Sequence, residues 1–294
     1  MASGPASRIE CFNQPLPILD AKTLAFKSVQ PSGDSTKQAV PPVILHHVPC
    51  KQFLDLANKA LQSSKLTNNT PSHGPIATTF PKLPLQTESD VFQASSLYII
   101  HPIMEILHVL YPGKWTIHAE LDDKKAPHKL ESLEDPGTKQ KESAVRYDLI
   151  FKSTADPDKT IAVLEYKRRG LIRYNDFELA MVSNNASPRE ITLRKEKAST
   201  GNLLKTNGIS YCKQVCLYAQ ISECKHVALF NWQHLLLFDF HQLKTSGDIS
   251  HTAGEEAKIS WVHEDQRRGF MEQALIRKAL LGWLLKAFDD FESQ

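Results

Sequence analysis

Residues 146–169 read RYDLIFKSTADPDKTIAVLEYKRR, and the fold turns on how this stretch is read. Val145–Lys152 is a run of apolar and β-branched residues interrupted by Asp148, which predicts a strand. Ala155-Asp156-Pro157-Asp158 carries turn chemistry, and Thr160–Lys167 predicts a second strand. Successive side chains of a strand point to opposite faces, so Glu165 and Lys167 share one. Antiparallel pairing would bring Asp148 beside them, and two carboxylates and an ammonium would meet at the end of an apolar sheet. IAVLEY is almost continuously apolar, as in a strand buried on both faces, and charges set in such a strand call for partners.

That convergence has a chemical use. Hard divalent cations such as Mg²⁺ or Mn²⁺ take one or two carboxylates while waters and a substrate phosphate complete the shell. A neighbouring Lys orients or deprotonates the attacking water, or neutralises charge developing on the phosphate. Glu-x-Lys alone is also a common solvated surface pair worth little, so the apolar setting carries the reading. A charged Lys beside two carboxylates is expected to keep them ionised.

Asp148 followed by Glu165-Tyr166-Lys167 resembles the D…E-x-K signature of the PD-(D/E)XK nuclease superfamily, with Tyr147 where that family usually has Pro. The resemblance implies a restriction-endonuclease-like α/β fold. Its αβββαβ core has a mixed central sheet flanked by helices, with the Asp on the second core strand and E-x-K on the third. It implies a metal-dependent nuclease hydrolysing phosphodiester bonds, most directly in DNA. Asp148, Glu165 and the Tyr166 carbonyl would hold Mg²⁺ or Mn²⁺, and Lys167 would position water or offset charge. The family often adds an acid from the first helix, for which Glu88 fits best and Glu105 and Glu120 are rivals. Glu88 is equally an ordinary first-turn acid that favours the helix dipole. Gln214 and Tyr218 lie four apart on one helical face and resemble the Q-x-x-x-Y element of RecB-like members, which organises the site and contacts DNA. The rival reading is a nuclease-fold module that binds nucleic acid or protein without turnover, as an intracellular effector or interaction protein.

Composition bounds these readings. Hydrophobic residues at 41% and charged ones at 23% of 294 residues describe an ordinary globular chain. A net charge of +2 does not by itself indicate a nucleic-acid binder. Residues 167–213 nevertheless hold ten Lys or Arg against four acids, and Arg168, Arg169, Arg173 and Lys213 are the expected phosphate contacts. Five cysteines with no C-x-x-C pairing predict reduced thiols and an intracellular protein. No basic localisation run separates nucleus from cytoplasm, and the nucleus is slightly favoured. Neither a membrane span nor a cleavable leader is expected.

Along the chain, residues 1–87 hold eleven of seventeen prolines and read as a poorly regular extension. Its exception is an amphipathic helix over Cys50–Leu61, and Asn68–Pro84 reads as a linker. The nuclease-like domain then spans 88–294. It opens with a helix from Thr87 that Pro102 is expected to kink or divide. A strand over Trp115–Leu121 and a polar insertion over 122–143 precede the Asp148 strand. A helix over Ile209–Ser222, strands over His226–Asn231 and His234–Phe240, and a final helix over Gln266–Phe291 follow. The extension and the final helix are the candidate surfaces for a protein partner or a second copy of the chain. Nuclease chemistry is expected to survive deletion of residues 1–80.

Overall fold

The computed structural model describes residues 7–16, 26–28, 36, 39–67, 85–123, 145–199, 201–243, 254–263 and 274–293. The linker over 68–84, nearly all of the polar insertion and the start of the expected final helix lie outside these residues. The described elements are α1 (Arg8–Asn13), β1 (Ile44–His47), α2 (Lys51–Leu61), α3 (Ser64–Thr67), α4 (Glu88–Ser95), α5 (His101–Leu110), β2 (Trp115–Asp123), β3 (Val145–Ser153), β4 (Thr160–Tyr166), β5 (Met181–Ser183), α6 (Pro188–Ser199), α7 (Thr206–Ile221), β6 (His226–Phe230), β7 (His234–Asp239), β8 (Glu256–His263) and α8 (Leu275–Glu292).

The eight strands form one mixed sheet in the order β2-β3-β4-β6-β7-β8-β1-β5. β2, β3 and β4 are an antiparallel meander, and β4 pairs parallel with β6. A parallel pair needs a crossover, and α7 provides it, packing on β6 as the chain returns. β6 to β8 pair antiparallel, and β8, β1 and β5 pair parallel. The carboxyl ends of β4, β6, β8, β1 and β5 therefore share one edge of the sheet.

Helices flank both faces. On one, Leu164 and Tyr166 of β4 pack with Phe53 of α2, Ile103 and Ile106 of α5, and Leu280, Trp283 and Leu284 of α8. On the other, Val163 packs with Tyr211, Cys212 and Val215 of α7 and with Phe177. β4 is buried from Ile161 to Tyr166, as its unbroken apolar run predicts. All five cysteines are free thiols. No helix among the described residues is long and apolar enough to cross a membrane.

Two expectations need correction. The described part of the first 87 residues is built into the sheet and its helical layer, closer than an extension packed on a separate domain. Ile44–His47 is an interior strand between β8 and β5, and α2 is wedged against α8. The contact leaves no room for a side chain at Gly282, where a Cβ would stand 1.8 Å from the Phe53 carbonyl oxygen. Nor does Pro102 divide the first helix. A π-helical turn over Ser96–Ile100 joins α4 to α5 continuously, with Pro102 in the first turn of α5. Proline has no N–H for the carbonyl four residues back, that of Tyr98. The buried Arg277 of α8 supplies it, Nε donating to the Tyr98 oxygen at 2.6 Å, while Nη1 donates to the carbonyls of Phe12 and Gln14.

Candidate active site

The site forms at the shared carboxyl edge, where β4 ends. The register sets Leu149 opposite Leu164, so Asp148 stands beside Glu165 on the face that α7 covers. Asp148 Oδ2 accepts the Tyr166 backbone N–H at 2.7 Å, tying β3 to the end of β4. Lys167 follows, its backbone N–H bonded to the Phe230 carbonyl at 2.8 Å. Its Nζ donates to Glu165 Oε1 at 2.5 Å and lies 3.8 Å from Glu88 Oε2. Glu88 arrives from the first turn of α4, whose start is fixed by a capping box between Thr87 and Asp90.

α7 supplies the opposite wall. Gln214 Nε2 donates to Glu165 Oε1 and to the Tyr218 hydroxyl, each at 2.7 Å, and that hydroxyl donates to the Arg146 carbonyl at 3.1 Å. Sequence reading missed Tyr211, one turn before Gln214, whose ring lies 5.9 Å from Lys167 Nζ. The signal was available, since positions three apart share a helical face. Burial pushes the Tyr211 phenol up to about 12 and the Tyr218 phenol well above its usual range.

The acids differ in setting. Glu165 is buried, Asp148 half-buried and Glu88 exposed at the mouth. Burial pushes the Glu165 carboxyl up to about 8; Lys167 opposes this, and Asp148 and Glu88 add to it. Lys167 is expected from the sequence to keep both carboxylates ionised; at Glu165 desolvation outweighs the ammonium's pull. Partial desolvation of its carboxyl at the rim also raises Glu88, helped by Asp148 and opposed by Lys167. Burial works against the charge on Lys167, but Glu165 and Glu88 together hold it above its ordinary value.

One ligand oxygen from each of Glu88, Asp148 and Glu165 lies within 4.8 Å of the other two. Oxygens around a small divalent ion, bound at about 2.1 Å, stand roughly 3–4 Å apart, so a small movement of the exposed Glu88 would close the set. Glu165 Oε2 is buried without a hydrogen-bond partner among the described residues. Such an oxygen is costly unless something else satisfies it, and a cation would. The donor set thus fits a hard divalent ion.

The remaining expected residues divide. Tyr166 contributes its N–H to Asp148, while its ring points to the other face and its hydroxyl meets Ser95 Oγ at 3.0 Å. Arg168 and Lys213 are half-buried, and Arg169 is buried. Arg173 is bound by Asp176 at 2.8 Å and covers the Phe26 ring at 3.3 Å. The basic zone is not one patch, because Lys195 on α6 pairs with Glu255 and Glu256 from beyond it. Glu105 is bound to Arg8 at 3.0 Å, away from the cluster, and the Glu120 side chain lies outside the described residues. Comparison of the chain with protein families, with curated proteins and with solved structures finds no match.

Proposed function

We propose that this chain is a metal-dependent nuclease of the restriction-endonuclease-like kind, hydrolysing phosphodiester bonds in DNA. The observation that carries the reading is the meeting of Glu88, Asp148 and Glu165 within 4.8 Å at a strand's carboxyl end, with Lys167 against Glu165. The succession of helix, three antiparallel strands, helix and parallel strand supports it, with β5 and α6 set between the third strand and the second helix.

Asp148, Glu165 and Glu88 would hold Mg²⁺ or Mn²⁺, which when bound supplies a Lewis acid for the phosphate and lowers the pKa of coordinated water. Lys167 keeps its proton, which favours neutralising charge on the phosphate over abstracting a proton from water. Gln214 fixes the rotamer of Glu165 by bonding the oxygen that Lys167 also holds, and leaves Oε2 to the ion. Tyr218 braces Gln214 and anchors it to β3 through the Arg146 carbonyl. Arg168, next to Lys167 and half-buried, would contact a flanking phosphate.

Supercoiled plasmid and single-stranded DNA, incubated with Mg²⁺, Mn²⁺ or EDTA, test the reading. Metal-dependent cutting is expected, reduced by about a hundredfold or more in Glu165→Gln and in Lys167→Ala. Cutting that survives EDTA or both substitutions would refute the assignment.

A further inference from the structure

The edge of the sheet that carries the site does not end there. The register Glu165–Leu229–Leu236–Trp261 crosses β4, β6, β7 and β8 in one row, on one face. The next row outward holds His234 opposite His263. Three strand spacings separate Glu165 from Trp261, roughly 14 Å. Trp261 is packed edge-on by Tyr174 at 5.4 Å and by His234 at 5.4 Å, and the rings of His234 and His263 are 4.7 Å apart. Tyr174 is 46% exposed and His263 is exposed, while Trp261 and His234 are half-buried, so the strip meets solvent through its Tyr174 and His263 rings.

The strip is also held in place. Tyr174 sits in a single turn of 3₁₀-helix, Tyr174–Asp176. Arg173 is bonded to Asp176 and Thr206, and Asn207 donates to the Leu171 carbonyl at 3.0 Å. A side chain at Gly208 would meet the Asp176 carbonyl at 2.5 Å, so α7 presses directly on this turn. Trp261 Nε1 donates to His234 Nδ1 at 3.2 Å, fixing both rings. Burial and the facing His263 hold His234 down to about 3, so it is a neutral ring at physiological pH. Gln233 accepts the Gly170 N–H at 3.1 Å and joins the strip to the turn just after Lys167.

Rigid aromatic faces are how proteins hold unpaired bases, since every base offers a π-face and a duplex keeps its bases stacked on one another. We propose that the strip formed by Tyr174, Trp261, His234 and His263 binds a single-stranded segment of the nucleic acid whose backbone enters the site at Lys167. The proposal rests on the nuclease reading and specifies its substrate: an unpaired strand of a few nucleotides running from the metal site across the carboxyl edge of the sheet. Tyr174, 46% exposed, is the principal stacking residue.

Binding is measured in EDTA by fluorescence anisotropy, with labelled oligothymidine and with a labelled duplex of the same length. The single strand is expected to bind at least about tenfold more tightly, Tyr174→Ala to lose about tenfold, and Tyr174→Phe to bind as the parent does. Duplex binding equal to single-strand binding, or no effect of Tyr174→Ala, overturns the proposal. Cutting of the same oligonucleotides in Mg²⁺ keeps the two readings apart. Metal-dependent cutting without a Tyr174 effect leaves the nuclease and removes the strip. Tyr174-dependent binding without cutting under any metal removes the nuclease and leaves a binding surface. Oligouridine of the same length reports whether the strand held is DNA alone or RNA as well.

Discussion

Asp148 Oδ2 holds the backbone N–H of Tyr166 at 2.7 Å, so the carboxylate that faces the candidate metal position also fastens the end of β4 to β3. The two roles are separable. In Asp148→Asn the amide oxygen still accepts the Tyr166 N–H, whereas in Asp148→Ala nothing does. Asn is expected to leave thermal unfolding close to the parent while reducing metal-dependent cutting by about a hundredfold. Ala is expected to cost a further 1–3 kcal/mol or so in urea unfolding, the usual loss for a bond to a charged acceptor.

The Glu165 carboxyl, pushed up to about 8 by burial, makes metal binding a competition with a proton. Between its ordinary value and about 8 the folded chain holds a proton that the unfolded chain has released. Stability of the metal-free protein therefore falls as pH rises through this window, and is regained below it. Mn²⁺ affinity should rise by about tenfold per pH unit up to the same limit and level off above it. Calorimetry in buffers of different ionisation enthalpy should show a proton released on binding at pH 7. Affinity independent of pH, with no proton released, would remove Glu165 from the ligand set.

Gln214 bonds both Glu165 and Tyr218, and its loss frees the carboxylate to rotate. Gln214→Ala is expected to weaken Mn²⁺ binding by roughly 10–100-fold, the usual cost of losing a partner of a metal ligand. Tyr218→Phe removes the brace to the Arg146 carbonyl but leaves Gln214 on Glu165, and should cost less. Titration of both variants by water-proton relaxation gives the comparison.

Arg277 is buried and donates to the carbonyls of Tyr98, Phe12 and Gln14. Arg277→Met fills much of the same volume but strands all three oxygens. A loss of about 3 kcal/mol or more in urea unfolding is expected. Limited proteolysis should also cut near residues 8–16 faster than in the parent.

Gly282 and Phe53 meet backbone to backbone, which makes α2 part of the core. Gly282→Ala should destabilise by about 2–3 kcal/mol through overpacking. Removal of residues 1–80, which would withdraw β1 from between β8 and β5, should leave a chain that does not fold cooperatively. Circular dichroism melts of both proteins decide this. An intact, cutting fragment 81–294 would return these residues to the status of an extension.

Local pattern sufficed for the centre of the molecule. The apolar runs on either side of a Pro-containing turn determine two paired strands, and the period of two puts Glu165 and Lys167 on one side. The spacing of four puts Gln214 and Tyr218 on one helical face. The chain between 44 and 48 was illegible for a physical reason: a four-residue strand among prolines has too few positions to show a period, and it exists because two neighbours from distant sequence supply its hydrogen bonds. β5 is shorter still, and in β8 the alternation of Lys258–Trp261 breaks at Val262, so the period there is too short to read. Charge was the least legible quantity. Counting along the sequence credited residues 167–213 with a basic surplus, yet Lys195 is answered by acids some sixty positions away, 3.0 Å from Glu255 and 2.7 Å from Glu256. What the sequence determined by itself was which side chains share a face, because that follows from helix and strand periods alone. What only the tertiary structure decided was how deeply each is buried and what lies opposite it, and Coulomb and desolvation energies depend on those distances and on nothing in the local pattern.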